Sequence, residues 1–173
     1  MIGPVAFVSC WAVLGARAEG YDPTQDAISR LAADGAPDQA WMTLGFVVYG
    51  VGLLLFAAAL REVDDGPAWM AAAATGIATL GVAAFPLDGW AGDAPHALAA
   101  GVGYVSLAAI PLLARGPAPV ASRLVGVAAL ACLGLTAVVE GSGLLQRLGL
   151  TLGDAWVVGA AVAVLTGRYG RRE

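Results

Sequence analysis

The run Trp41-Met42-Thr43-Leu44-Gly45-Phe46-Val47-Val48-Tyr49-Gly50-Val51-Gly52-Leu53-Leu54-Leu55-Phe56-Ala57-Ala58-Ala59-Leu60, followed by Arg61-Glu62-Val63-Asp64-Asp65-Gly66-Pro67, decides how the rest of the chain is read. No residue from Trp41 to Leu60 is charged. At about 1.5 Å per residue, a helix over this run reaches across the ~30 Å hydrocarbon core of a bilayer. The charged, Gly-Pro-closed segment after it is a stop. The same alternation of apolar block and polar stop repeats along the chain. It predicts a third helix over about Ala68 to Phe85, stopped by Pro86-Leu87-Asp88-Gly89, and a fourth over about Ala97 to Ala114, stopped by Arg115-Gly116-Pro117. A fifth is expected over about Ser122 to Leu145 and a sixth over about Gly153 to Thr166, leaving the tail Arg168 to Glu173.

Toward the N-terminus, Ile2 to Ala16 is apolar but gives only about 22 Å of helix. It lacks the basic start and small-residue cleavage site of a signal peptide, so it is read as a first membrane helix, thin at its start or beginning upstream. Arg17 to Ala40 is a polar loop. Within it Asp22-Pro23-Thr24-Gln25 is a helix-start pattern, with Asp22 as the cap, and Ile28 and Leu31 share one face. Asp34-Gly35-Ala36-Pro37 ends that short helix. The expectation is all-α: a polytopic membrane helix bundle of about six transmembrane helices, plus a short amphipathic helix in the first outer loop, with residues 1–173 as a single transmembrane domain.

Composition agrees. Hydrophobic residues make up 59% of the chain and charged residues 13%, against about 45–50% and 25% in soluble domains. The net charge is -4, carried with nine arginines and no lysine. That excludes nucleic acid as a partner, because no basic patch exists to neutralise phosphates. The absence of lysine also excludes a retinal-type Schiff base. No phosphate loop, dinucleotide fingerprint or haem motif is present, so no cofactor is expected. Cys10 and Cys132 lie far apart in apolar blocks and read as small packing residues. So do the glycines from Gly45 to Gly52, with Gly101 and Gly103, which let helices approach closely in lipid. Trp41, Trp69 and Trp90 fall near helix ends, as interfacial anchors do.

Arginines divide six (Arg61, Arg115, Arg123, Arg168, Arg171, Arg172) to three (Arg17, Arg30, Arg147) between the two sides. The positive-inside rule then puts both termini in the cytoplasm of a multi-pass protein of the cell membrane. Nine acids (Glu19, Asp22, Asp26, Asp34, Asp38, Asp88, Asp93, Glu140, Asp154) fall on the other side. The outer mouth is therefore where polar chemistry is expected.

Glu140, read as lying within the fifth helix, is a costly membrane acid expected to face a cavity or a partner. Arg147, seven residues on, is close to the same face and is its expected partner. Asp88 and His96 flank the third-to-fourth turn, where His96 serves as a general base or pH sensor if Asp88 lies beside it. One histidine with scattered acids is a poor zinc site, so no metal is expected. Asp26 and Arg30, four apart, are expected to pair on the surface. Asp154, at the predicted start of the sixth helix, is favoured by the helix dipole.

Several short motifs resemble the domain-of-unknown-function family 998. They are Asp22-Pro23 with Ile28-Ser29 and Leu31-Ala32, then Gly45-Phe46, then Phe85-Pro86-Leu87-Asp88 followed by His96, and last Gly143-Leu144-Leu145-Gln146-Arg147 with Trp156 downstream. The resemblance spans nearly the whole chain. It implies a prokaryotic six-helix membrane protein and supplies no activity.

Three functional readings follow. The first is a binding or accessory protein that holds a lipid, a small molecule or a membrane-protein partner at the outer mouth, through Asp22, Asp26, Arg30, Arg147 and Asp154. The second is an intramembrane enzyme acting on a lipid or isoprenoid by acid–base chemistry at Asp88, His96 and Glu140. The third is a small transporter, disfavoured because few polar residues are read at mid-membrane depth, where transport sites lie.

Overall fold

The computed structural model describes residues 2–170. Among them are six α-helices: α1 (Ile2–Arg17), α2 (Gln39–Arg61), α3 (Ala68–Ala84), α4 (Asp93–Leu113), α5 (Pro119–Leu135) and α6 (Gly143–Leu165). One 3-10 turn, Ile28–Ala32, lies in the loop between α1 and α2. Three helices, α2, α4 and α6, are long and apolar enough to cross a membrane. The other three are apolar helices of 16, 17 and 17 residues.

Each helix packs on the next, and α6 also meets α1, α2 and α4, closing the bundle around itself. Large apolar side chains such as Leu55, Ile77, Leu98 and Leu124 point outward, while Ala72, Ala108 and Ala129 are fully enclosed and Thr75 and Asp154 are buried. A bundle that buries small and polar residues along with its apolar core and still turns many large apolar side chains outward is suited to lipid rather than water. Where α2 crosses α3, a Cβ on Gly50 would lie 2.9 Å from the Gly76 carbonyl oxygen, and one on Gly76 would lie 2.8 Å from that of Gly50. No other residue fits at either position, so the predicted role of the Gly45–Gly52 run holds there. Gly101 differs: it meets nothing within 4 Å.

The helices predicted around Trp41–Leu60, Ala68–Phe85 and Ala97–Ala114 form within a few residues of their expected limits. The fifth and sixth do not. α5 stops at Leu135, residues 136–142 are irregular, and α6 begins at Gly143. Gly141 takes a φ of 62° in the turn, a backbone state that glycine adopts without a steric penalty. The first-loop helix is also shorter than expected. Residues Asp22 to Asp26 form a turn, and only Ile28–Ala32 winds helically, as 3-10.

Candidate functional site

The bundle has two ends. One carries the first loop, the α3–α4 turn and the α5–α6 loop. The other carries the α2–α3 and α4–α5 loops and the tail after α6.

At the first-loop end, the segment from Tyr21 to Ala32 lies over the bundle mouth. Its turn is self-capped: Asp22 Oδ1 accepts the Thr24 N–H at 2.8 Å and the Thr24 hydroxyl at 2.7 Å, and the Asp22 N–H donates to Asp26 Oδ2 at 2.8 Å. These Thr24 bonds hold the Asp22 carboxyl below the usual carboxylate range. The segment in turn caps α6. The Gly143 and Leu144 N–H groups, which no helix can satisfy internally, donate to the carbonyls of Gln25 at 3.2 Å and Thr24 at 3.0 Å.

Arg147 fastens this arrangement. Buried at 7% exposure, it donates through Nη1 to the carbonyls of Asp26 (2.9 Å) and Gly143 (3.0 Å), and through Nη2 to the Tyr21 hydroxyl. Its guanidinium lies 5.3 Å from the Trp11 ring centre and 5.5 Å from that of Tyr21, within cation–π range. Burial raises the Tyr21 phenol, against the opposing pull of the Arg147 charge. Arg147 Nε and Trp11 Nε1 are buried without partners. The expected Glu140–Arg147 pair does not form, because the helix break at 136–142 leaves Glu140 in an exposed loop.

Two spaces lie on opposite sides of the 3-10 turn. The outer one is an open depression of about 500 Å³, walled by Arg17, Glu19, Tyr21, Asp26, Arg30 and Asp38 among others. Arg17 pairs with Asp38 at 3.0 Å and Arg30 with Asp88 at 2.8 Å, with both arginine side chains about half exposed. Arg30 thus does not pair with Asp26, whose carboxylate is used by the Asp22 N–H. The 3-10 geometry turns Arg30 toward the α3–α4 turn, where Asp88 sits at a φ of 57° and donates its own N–H to Asp93 Oδ1 at 2.8 Å.

The inner space is a partly open cavity of about 50 Å³ lined by Ile28 and Ser29 of the turn and by Tyr49, His96, Tyr104 and Gln146 among others. That is room for a few water-sized groups. His96 is buried and its Nδ1 lies 2.8 Å from the Phe85 carbonyl. A carbonyl only accepts, so Nδ1 carries hydrogen and Nε2 is left as the free ring nitrogen. Asp88 is engaged by Arg30 rather than by His96. Gln146 spans the roof: its Oε1 accepts the Ile28 N–H at 2.8 Å and its Nε2 donates to the Tyr104 hydroxyl.

Asp154 lies half-way along α6, not at a helix start, and is 3% exposed. Its Oδ1 accepts the Tyr49 hydroxyl at 2.6 Å, and its Oδ2 is buried without a partner. Placing the helix start ten residues late had assigned this acid to the mouth.

At the tail end, buried Asp64 accepts the Gly66 N–H at 2.6 Å, the Arg115 N–H at 2.9 Å and the Tyr169 hydroxyl at 2.8 Å. One carboxylate thereby ties both loops and the tail. Burial and the nearby Asp64 charge push the Tyr169 phenol far up.

Sequence reasoning missed Tyr21, Tyr49, Asp64, Tyr104 and Gln146. Tyr49 had a signal, as the one hydroxyl in the middle of the Trp41–Leu60 run. Asp64 had none that set it apart from Glu62 and Asp65. Among the described residues, His, Cys, Asp and Glu nowhere gather in threes that would hold a metal ion.

A closed bundle of membrane-type helices, with a buried cation under one mouth and a carboxyl at mid-helix, defines a helical membrane protein with an internal polar site. The chain belongs to the family described as protein of unknown function DUF998, whose model matches residues 1–163. No curated protein and no solved structure matches it.

Proposed function

We propose that this is a multi-pass protein of the cell membrane, both termini cytoplasmic, that holds the polar head of a lipid in the depression between Arg17 and Arg30. The depression itself carries the reading. Its volume of about 500 Å³ falls within the usual range of small-molecule sites, about 300–1,000 Å³. Its two arginines are half exposed and each meets one carboxylate, so a phosphate-bearing head group has donors to bind. Leu31, Ala36 and Pro37 on the same wall suit the start of an acyl or prenyl chain. The arginines at the other end, Arg61, Arg115, Arg123 and Arg168, favour that end for the cytoplasm.

Native mass spectrometry of the protein released from nanodiscs of its own membrane tests this. A retained lipid mass, lost when Arg17 and Arg30 are both changed to Ala, is the expected result. A bare protein overturns it, and a retained second polypeptide replaces lipid binding with an accessory-subunit role. The acid–base enzyme reading is weaker. His96 stands at the cavity wall, while Asp88 is bound to Arg30 and Glu140 is exposed. The transporter reading gains one observation, the mid-helix carboxyl of Asp154.

A further inference from the structure

We propose that Asp154 is a proton-binding site inside the bundle, loaded and unloaded from the central cavity through the Tyr49 hydroxyl. This does not rest on lipid binding at the mouth.

Gln146, Leu150 and Asp154 follow one another at single-turn spacing on α6, so they share a face. The first two line the cavity. Asp154 is therefore one turn beyond the cavity wall, near the middle of a helix long and apolar enough to cross the membrane. Tyr49 of α2 also lines the cavity, and its hydroxyl reaches Asp154 Oδ1 at 2.6 Å. The Phe7 ring of α1 stacks on the Tyr49 ring at 4.7 Å and 26°, fixing its direction.

The carboxyl is incompletely served. Asp64 receives three hydrogen bonds at its end of the bundle. Asp154 receives one, and its Oδ2 is buried with no partner. Both ion pairs among the described residues lie at the first-loop surface, so no arginine neutralises it. An ionised carboxylate with one donor in a low-dielectric interior is costly, and a bound proton removes that cost. A carboxyl placed so is stable in the neutral form and still has a hydroxyl through which to exchange.

Among the described residues, the surrounding helices bring no arginine or carboxylate to the cavity. α2 offers Tyr49. α4 places Tyr104 and His96 at the cavity. α5 brings Cys132 against Gly149, and α1 brings Cys10 against Gly45, nearer the mouth. α3 contributes Thr75, Thr79 and Val82 to this space, none of them ionisable there. Beyond Asp154 toward the tail end, the buried α6 residues Val157, Ala160 and Ala161 are apolar, so exchange runs on the cavity side.

The step balances simply. A hydrated proton entering the cavity passes one proton to the Tyr49 oxygen while the Tyr49 hydroxyl proton passes to Asp154 Oδ1, leaving neutral water, and unloading reverses both transfers. No carbon bond changes and nothing is oxidised.

Infrared difference spectroscopy of the protein in bilayers, stepped from about pH 5 to about pH 9, reads this directly. The expected result is a protonated-carboxyl carbonyl band that grows and fades with pH and is missing in Asp154→Asn. A band assigned to Asp154 that never changes across the range makes it a permanently neutral packing group and overturns the proposal. Absence of any Asp154-dependent band makes it permanently ionised and overturns it equally. Tyr49→Phe keeps the carboxyl should Asp154→Asn fail to fold. In that variant the band is retained, and its response to a pH jump slows about a hundredfold, the low end of what a positioned proton carrier supplies. An unchanged rate removes Tyr49 from the route and overturns the proposal.

Discussion

The two ends of the bundle solve one problem with opposite charges. At the tail end an anion, Asp64, accepts from two backbone N–H groups and the Tyr169 phenol. At the first-loop end a cation, Arg147, donates to two backbone carbonyls and the Tyr21 phenol and lies near two aromatic rings. Among the described residues, neither forms an ion pair within 4 Å. Each gathers segments distant in sequence by charge–dipole bonds, which stay strong where water is scarce. The ends differ in how fully they close. The tail end holds spaces of about 70 Å³ beside Asp64 and about 210 Å³ beside Tyr169, the first-loop end a depression of about 500 Å³, and one Arg147 nitrogen is left unpartnered. The looser end is the one with the most room for a ligand.

The largest expected effect breaks the cationic end. Arg147→Ala releases the first loop from α6 and costs about 3 kcal/mol, read as a lower unfolding midpoint in detergent together with rapid proteolysis between Tyr21 and Ala32. Arg147→Lys does not restore it, because a point charge cannot reach two carbonyls and a phenol at once. Asp64→Asn comes next, at about 2 kcal/mol. It turns an amide N–H₂ toward donors and frees the tail, which increased hydrogen exchange around Tyr169 reports.

Tyr169→Phe sharpens the comparison by removing one bond to Asp64, at about 1.5 kcal/mol. Tyr21→Phe is expected to cost less, since Arg147 keeps its carbonyls and ring contacts. If Tyr21→Phe costs more, the cationic end depends on its phenol and the symmetry drawn here fails. Arg30→Ala removes an exposed pair and costs about 0.5 kcal/mol or less, measured in the same unfolding experiment.

The smallest effect concerns pH. The folded Asp22 carboxyl lies below the ordinary aspartate value of 3.8, so its contribution is present above that value and fades as pH falls through the depressed one. In an acid titration of stability, Asp22→Asn should flatten this lowest limb and lower the neutral plateau by a constant amount without giving it a slope. An unaltered acid limb in that variant would remove Asp22 from the account.

One helix boundary shows how far the sequence could be read. The apolar run to Leu60 and its charged stop left little freedom, and α2, α3 and α4 formed near their predicted limits. The stretch from Leu135 to Gly153 carries valines, leucines and glycines throughout, so hydropathy could not place the break. The structure puts it at 136–142, which exchanges the settings of two acids. Glu140, expected inside a helix, is exposed in a loop, and Asp154, expected at the mouth, is buried at mid-helix.

By itself the sequence determined the class of protein: long uncharged runs, small residues for close helix contact and arginine-bearing stops leave only a helical membrane bundle. It also marked the first loop and the α3–α4 turn as polar places. Only the tertiary structure decided who meets whom. Hydrogen-bond partners such as Tyr49 and Asp154, or Asp64 and Tyr169, are each 105 residues apart in the chain. No local pattern encodes such pairs, because they follow from which helix faces turn inward once six helices have packed.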